Sequence, residues 1–173
     1  GVGRTLRRRH HGWHPCRTLI GMGNSAALDD LPPSFLETID CYVMGSRTYE
    51  TALNFEAKGM GWVYGDKPTF VLTTRDLPKS RANVEFYAGD VTALVNEHLR
   101  PRFRGIWFVG GGRVCGDCLR LGLADEVRYS MMPILIGEGV SFFEGLDKDV
   151  PLHLLESHGY KNGMIALRYA VRK

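Results

Sequence analysis

Short, mostly apolar runs recur along the chain at Cys41 to Met44, Thr69 to Thr73, Val84 to Tyr87 and Ile106 to Val109. Runs of this length that are rich in β-branched and aromatic residues predict strands, and the continuously apolar ones predict strands buried on both faces. Helical spacing fills the intervals, so helices are expected over Pro33 to Thr38, Arg47 to Phe55, Val91 to Leu99 and Arg113 to Leu121. The last third reads differently. Glu126 to Met132, His153 to His158 and Met164 to Val171 are strand patterns joined by loops containing Gly137, Gly139 and Gly159. Alternation followed by strands alone predicts an α/β fold, a central mostly parallel mixed sheet with helices on both faces and a C-terminal antiparallel hairpin at its edge. Residues 1 to 24 show no convincing strand. They are read as an atypical basic segment, disordered or out of pattern, ahead of a single domain over 25–173.

Composition supports one compact domain: 173 residues, 44% hydrophobic and 24% charged. No apolar run reaches membrane-spanning length, and the basic N-terminal stretch has no apolar segment behind it, so neither a membrane anchor nor a signal peptide is expected. Cysteines stand only at 16, 41, 115 and 118, which fits a cytoplasmic setting. Arg4, Arg7, Arg8, Arg9 and Arg17 have no acid among them. Without these five, the formal charge of +3 turns slightly negative. The body is therefore not a nucleic-acid binder by charge.

The candidate chemistry lies at the carboxyl ends of three of the predicted strands, where open α/β sheets bind ligands. Ile106-Trp107-Phe108-Val109 runs into Gly110-Gly111-Gly112-Arg113-Val114 and then a helical pattern. Glycines there let the main chain approach a ligand closely, and the helix start that follows favours an anion such as phosphate. Gly45, Ser46, Arg47 and Thr48 follow Met44; Thr73, Thr74 and Arg75 follow Leu72. Small residues, hydroxyls and arginines are the groups that hold phosphate oxygens. Three such loops imply a ligand with phosphates at more than one place, such as a dinucleotide.

In order along the chain, Val43-Met44-Gly45-Ser46-Arg47-Thr48-Tyr49-Glu50, Lys67-Pro68-Thr69-Phe70-Val71-Leu72-Thr73-Thr74-Arg75, Val109 to Val114, Leu123-Ala124-Asp125-Glu126-Val127 and Pro133-Ile134-Leu135-Ile136-Gly137-Glu138-Gly139 resemble the dihydrofolate reductase-like superfamily. The branch is that of the reductase domain of riboflavin-biosynthesis proteins, the RibD C-terminal domain, in a stand-alone bacterial form, over roughly residues 28 to 172. The resemblance implies an NADPH-dependent reductase, commonly a homodimer, that acts on a small flat heterocycle of pterin or pyrimidinone type. It places Ser46, Arg47 and Thr48 at the pyrophosphate and adenosine side, Thr73, Thr74 and Arg75 at the ribose 2′-phosphate, and Gly110 to Val114 at the pyrophosphate. Ser130 falls near the substrate pocket, and Asp29 or Asp30 at the place of an acid. It also implies a cis peptide at Gly110-Gly111. The alternative is a nucleotide-binding module of the same fold with little or no activity.

The family opens with a buried strand and an Asp-Gly loop, which residues 1–24 do not match, so weak turnover beside intact cofactor binding is expected. With suitable codons, His11-Gly12-Trp13-His14-Pro15 reads in the next frame as Met-Asp-Gly-Ile-Pro, close to that loop; sequencing the encoding DNA tests this. Cys115-Gly116-Asp117-Cys118 invites a redox or zinc reading, but its spacing matches no standard site and Cys118 shares the inward face of Leu121. No metal is expected. The sequence assigns no catalytic residue.

Overall fold

The computed structural model describes residues 16–21, 33–139 and 141–173. Within them the elements run β1 (Arg17–Gly21), α1 (Pro33–Leu36), β2 (Cys41–Gly45), α2 (Ser46–Ala57), β3 (Thr69–Leu72) and β4 (Val84–Tyr87). They continue as α3, which is Val91–Ala93 passing into the π-helical Leu94–Leu99, then β5 (Gly105–Phe108), α4 (Gly112–Arg120), β6 (Glu126–Met131), β7 (Leu152–Gly159) and β8 (Ile165–Val171). Eight strands make one sheet in the order β4-β3-β2-β5-β1-β6-β8-β7. All pairings from β4 to β6 are parallel, and β8 pairs antiparallel with both β6 and β7. This is the fold the hydrophobic pattern predicts.

The N-terminal reading needs correction. β1 lies inside the segment read as strandless, and it occupies the middle of the sheet between β5 and β6. Beyond its pairing with β5, its side-chain and backbone anchors include residues more than 100 positions away. The Thr18 N–H donates to Asp125 Oδ2 at 2.9 Å, Arg17 Nη1 donates to Glu126 Oε1 at 3.0 Å, and Leu19 is fully buried. Only two strongly apolar residues, Leu19 and Ile20, mark the strand locally. Residues 1–15 and 22–32, including the Asp-Gly-like stretch, Asp29 and Asp30, lie outside the described residues.

Two cores sandwich the sheet. One face packs Cys41, Val43, Phe70, Ile106 and Phe108 against Leu94, Val95 and Leu99 of α3 and Cys115, Cys118 and Leu119 of α4. On the other, Leu19, Tyr42, Met44, Val71 and Trp107 meet Phe35 of α1 and Tyr49 and Ala52 of α2. Alternate residues of a strand point to opposite faces. In register, Leu19 sits beside Trp107 on one side and Glu126 on the other, and Gly21 sits beside Arg128. Glu126, Arg128 and Ser130 therefore share the α1 side of the sheet, while Tyr129 faces the opposite layer, stacked on Tyr169 with ring centroids 6.0 Å apart. The C-terminal edge is bare: every residue of β7 is exposed.

Candidate functional site

Two of the three sequence-derived loops meet. A Cβ built on Gly110 would lie 3.5 Å from Thr48 Oγ1, one on Gly111 would lie 3.7 Å from it, and one on Gly45 would touch Val114 Cγ2 at 3.2 Å. The β2–α2 and β5–α4 turns thus form one surface of backbone and small side chains. Gly110 and Gly111 have φ of +133° and +86°, a region closed to most L-residues, which is how the chain turns here. The expectation of a cis peptide at Gly110-Gly111 is corrected: no cis peptide bond occurs among the described residues.

Two helices start at this surface. α2 begins behind Gly45 and α4 behind Gly111, and neither N-cap makes a side-chain hydrogen bond. Each start leaves backbone N–H groups without an intrahelical acceptor, and both dipoles present their positive ends. The arrangement suits a diphosphate held by main-chain donors, with Ser46 and Thr48 half-buried beside it and Arg47 and Arg113 exposed at its rim. Behind it, Gly112 and Gly116 let α4 press on the 141–144 segment. Glu144 N donates to Gly112 O at 3.0 Å, and a Cβ on Gly116 would stand 1.8 Å from the Glu144 carbonyl oxygen.

The third loop reaches α2 by another route. Thr73 Oγ1 accepts from Arg75 N at 3.0 Å, and the Arg75 guanidinium donates to both Glu50 carboxylate oxygens, at 2.9 and 2.6 Å. Thr74 and Arg75 are exposed. The residues read as holding a 2′-phosphate therefore stand at the outer side of α2, with Arg75 already engaged.

On the α1 side of the sheet lies a group of which the motifs held only Glu126, with no role assigned to it. Glu126 is buried, and Arg168 donates to it twice, at 2.8 and 3.0 Å, beside Arg17 at 3.0 Å. Burial pushes its carboxyl up, but the hydrogen bonds from Arg168 and the charges of Arg17, Arg168 and Arg128 outweigh that and hold it below the ordinary value. Arg128 reaches past this cluster and lays its guanidinium over Phe35, 3.8 Å from the ring centroid. Phe35 in turn packs edge-on against Trp107 at 5.2 Å. Arg128 and Trp107 look like ordinary strand residues in the sequence, so nothing local marked them. Ser130, two residues on from Arg128 on the same face, is half-buried and pairs with Ala166 of β8.

Thiol chemistry does not find its conditions here. Cys115 and Cys118 are buried in the core. Burial pushes the Cys115 thiol up to about 12, and Cys118 and Cys41 rise too. Reactive thiols need the opposite shift. Among the described residues no three metal-ligating side chains come together, and no helix among them is long and apolar enough to cross a membrane.

Comparison with known proteins places this geometry. The family model of the RibD C-terminal domain matches residues 42–166, well over half of the chain. Two curated relatives, both uncharacterized proteins of Bacillus subtilis (strain 168), are YwjB, 24% identical over 69% of this chain and 67% of its own length, and YyaP, 26% identical over 49% and 45%. Among solved structures, the "Putative riboflavin biosynthesis protein" of Shewanella sp. PV-4 is 22% identical with a TM-score of 0.74, covering 91% of this chain and 99% of that one. A pyrimidine reductase-like protein of Corynebacterium diphtheriae gives 16% and 0.63, with 92% of each chain covered. The Enterococcus faecalis dihydrofolate reductase, solved in complex with NADP(H), gives 17% and 0.60 over 92% of this chain and 98% of that one. The structural matches share the dihydrofolate reductase-like fold, and by its matched family model the chain belongs to the RibD C-terminal domain family.

Proposed function

We propose that this chain is an NADPH-dependent reductase that passes hydride to a small flat heterocycle of pterin or pyrimidinone type. The observation that carries this reading is the convergence of two helix starts without side-chain caps on the Gly45–Thr48 and Gly110–Val114 turns. Main-chain N–H groups there would bind the pyrophosphate, and Thr73, Thr74 and Arg75 the adenosine end. When bound, NADPH supplies the hydride. The protein's part is to align the two rings and exclude water, and Gly21 at the end of β1, with Phe35, Trp107, Arg128 and Ser130, forms the wall where the second ring would lie. A CH–NH or C=N bond, or a related carbonyl, is the class of bond reduced; riboflavin-type biosynthesis is the setting that the RibD C-terminal family suggests, and a cytoplasmic location is part of the same proposal. A homodimer through the C-terminal edge is part of the same proposal, because β7 and the 131–136 loop leave apolar residues uncovered. Titration with NADPH and NADH by calorimetry, followed by a turnover screen with pterins and pyrimidinones, tests the reading. Binding with turnover supports the reductase, binding without turnover favours the nucleotide-binding module, and no cofactor binding overturns both.

A further inference from the structure

Two buried donors face one aromatic wall on the α1 side of the sheet. Trp107 is 2% exposed and its indole Nε1–H has no hydrogen-bond partner among the described residues. A Cβ on Gly21 would come within 2.7 Å of that nitrogen, so the bare backbone at the end of β1 lies directly against it. Arg128 Nε is likewise buried, with no hydrogen-bond partner among the described residues. The carboxylate nearest to it, Glu126, is 3.9 Å away and already takes both Arg168 and Arg17. Phe35 touches both: the Arg128 guanidinium on its face and Trp107 at its edge. A buried donor left without an acceptor costs roughly 1–3 kcal/mol, more when it is charged, and two together ask what meets them.

Charge narrows the answer. Arg17, Arg128 and Arg168 gather around Glu126, with Glu156 near Arg168 at 3.8 Å but mostly exposed. The cluster holds three cations against two carboxylates. The excess falls on Arg128, whose own ionisation is pushed down to about 10 by burial and then by the neighbouring Arg168. A ligand with negative charge would relieve this, whereas a cationic ring would add to it.

We propose that Arg128 and Trp107 are the substrate-recognition element of the reductase site, and that they select a flat heterocycle presenting a negatively charged oxygen edge, an ionised lactam or a ring carboxylate. The inference rests on the reductase reading for its setting but on these donors for its chemistry. The heterocycle's oxygen atoms accept from Arg128 Nε–H and Trp107 Nε1–H, and its ring lies beside Phe35, which touches both side chains.

Orotate and barbiturate, both anionic near neutral pH, serve as probes against neutral uracil, with calorimetry on the full chain in the presence and absence of NADPH. The anionic rings should bind roughly ten- to a hundred-fold more tightly than uracil, the size of a charge-assisted hydrogen bond. Arg128→Met, which keeps the packing on Phe35, should bring that ratio close to one and leave NADPH affinity within about two-fold; Arg128→Lys should keep part of the preference, and thermal melts check that each variant folds. Trp107→Phe should weaken the anionic probes with less effect on their preference over uracil. Equal binding of the probes, binding of neither, or a preference that survives in a folded Arg128→Met overturns the proposal. If the preference holds while NADPH does not bind, the anion site stands and the reductase reading fails; NADPH binding without the preference does the reverse.

Discussion

Arg75, at the end of β3, lays both terminal guanidinium nitrogens on the two carboxylate oxygens of Glu50 in α2, at 2.9 and 2.6 Å. The pair is exposed on both sides. Arg75 lowers the Glu50 carboxyl through its hydrogen bonds, and Glu50 raises Arg75 in return. If a ribose 2′-phosphate binds here, as proposed, it has to draw the guanidinium from Glu50, and the carboxylate would then compete with the cofactor for the same fork.

Cofactor choice follows from that competition. Arg75→Ala should weaken NADPH and leave NADH nearly unchanged, while Glu50→Gln should free the guanidinium and strengthen NADPH relative to NADH. Calorimetric titration of both cofactors measures it. Equal losses for the two in Arg75→Ala would show that Arg75 does not read the 2′-phosphate.

Acid should weaken the fold through Glu126. Its folded value is depressed, so its contribution is complete above the ordinary carboxylate value of 4.5 and is lost as pH falls through the lower folded value. Glu126→Gln leaves Arg17, Arg128 and Arg168 short of a charge; partial exposure of those arginines brings the cost to about 2–3 kcal/mol near neutral pH. Denaturant unfolding of both forms across the acid range should show the gap closing as the pH drops. A gap that stays constant would place the stabilisation elsewhere.

The contact between α4 and the 141–144 segment should be sensitive to one methyl group. Alanine normally favours a helix over glycine, yet a Cβ at Gly116 would stand 1.8 Å from a backbone oxygen. Gly116→Ala is expected to cost about 1–3 kcal/mol, as overpacking does. A variant as stable as the parent in urea would mean that the segment can move off the helix freely.

Assembly should be visible in solution. Ile134, Leu135 and Ile136 are 69%, 100% and 69% exposed, and Met131, Leu154 and Ile165 add to the same edge. A homodimer of about 39 kDa, twice the 19.4 kDa chain, is expected by light scattering at micromolar concentration. Leu135→Asp together with Ile136→Asp should return it to a monomer; a parent chain that is monomeric already would defeat this.

The alternating runs from Cys41 to Tyr87 and from Ile106 to Leu121 were enough for the sequence alone to determine the α/β class, the strand ends and the glycine turn, because period and glycine placement are local properties of the chain. The start of α3 was legible for the same reason, Asp90 capping it through Ala93 N at 2.8 Å. Three features depended on the tertiary structure. β1 owes its place to Asp125 and Glu126, far along the chain, and two apolar residues carry too little local signal to reveal it. Arg75 matches a phosphate-binding pattern in sequence, but only the packing of α2 beside β3 brings Glu50 to it. Arg128 and Trp107 belong to different strands with β1 between them, and only the sheet register brings both side chains against Phe35. Local preferences are written residue by residue; partners brought together by folding are not, and the chemistry of this site lies mostly in the partners.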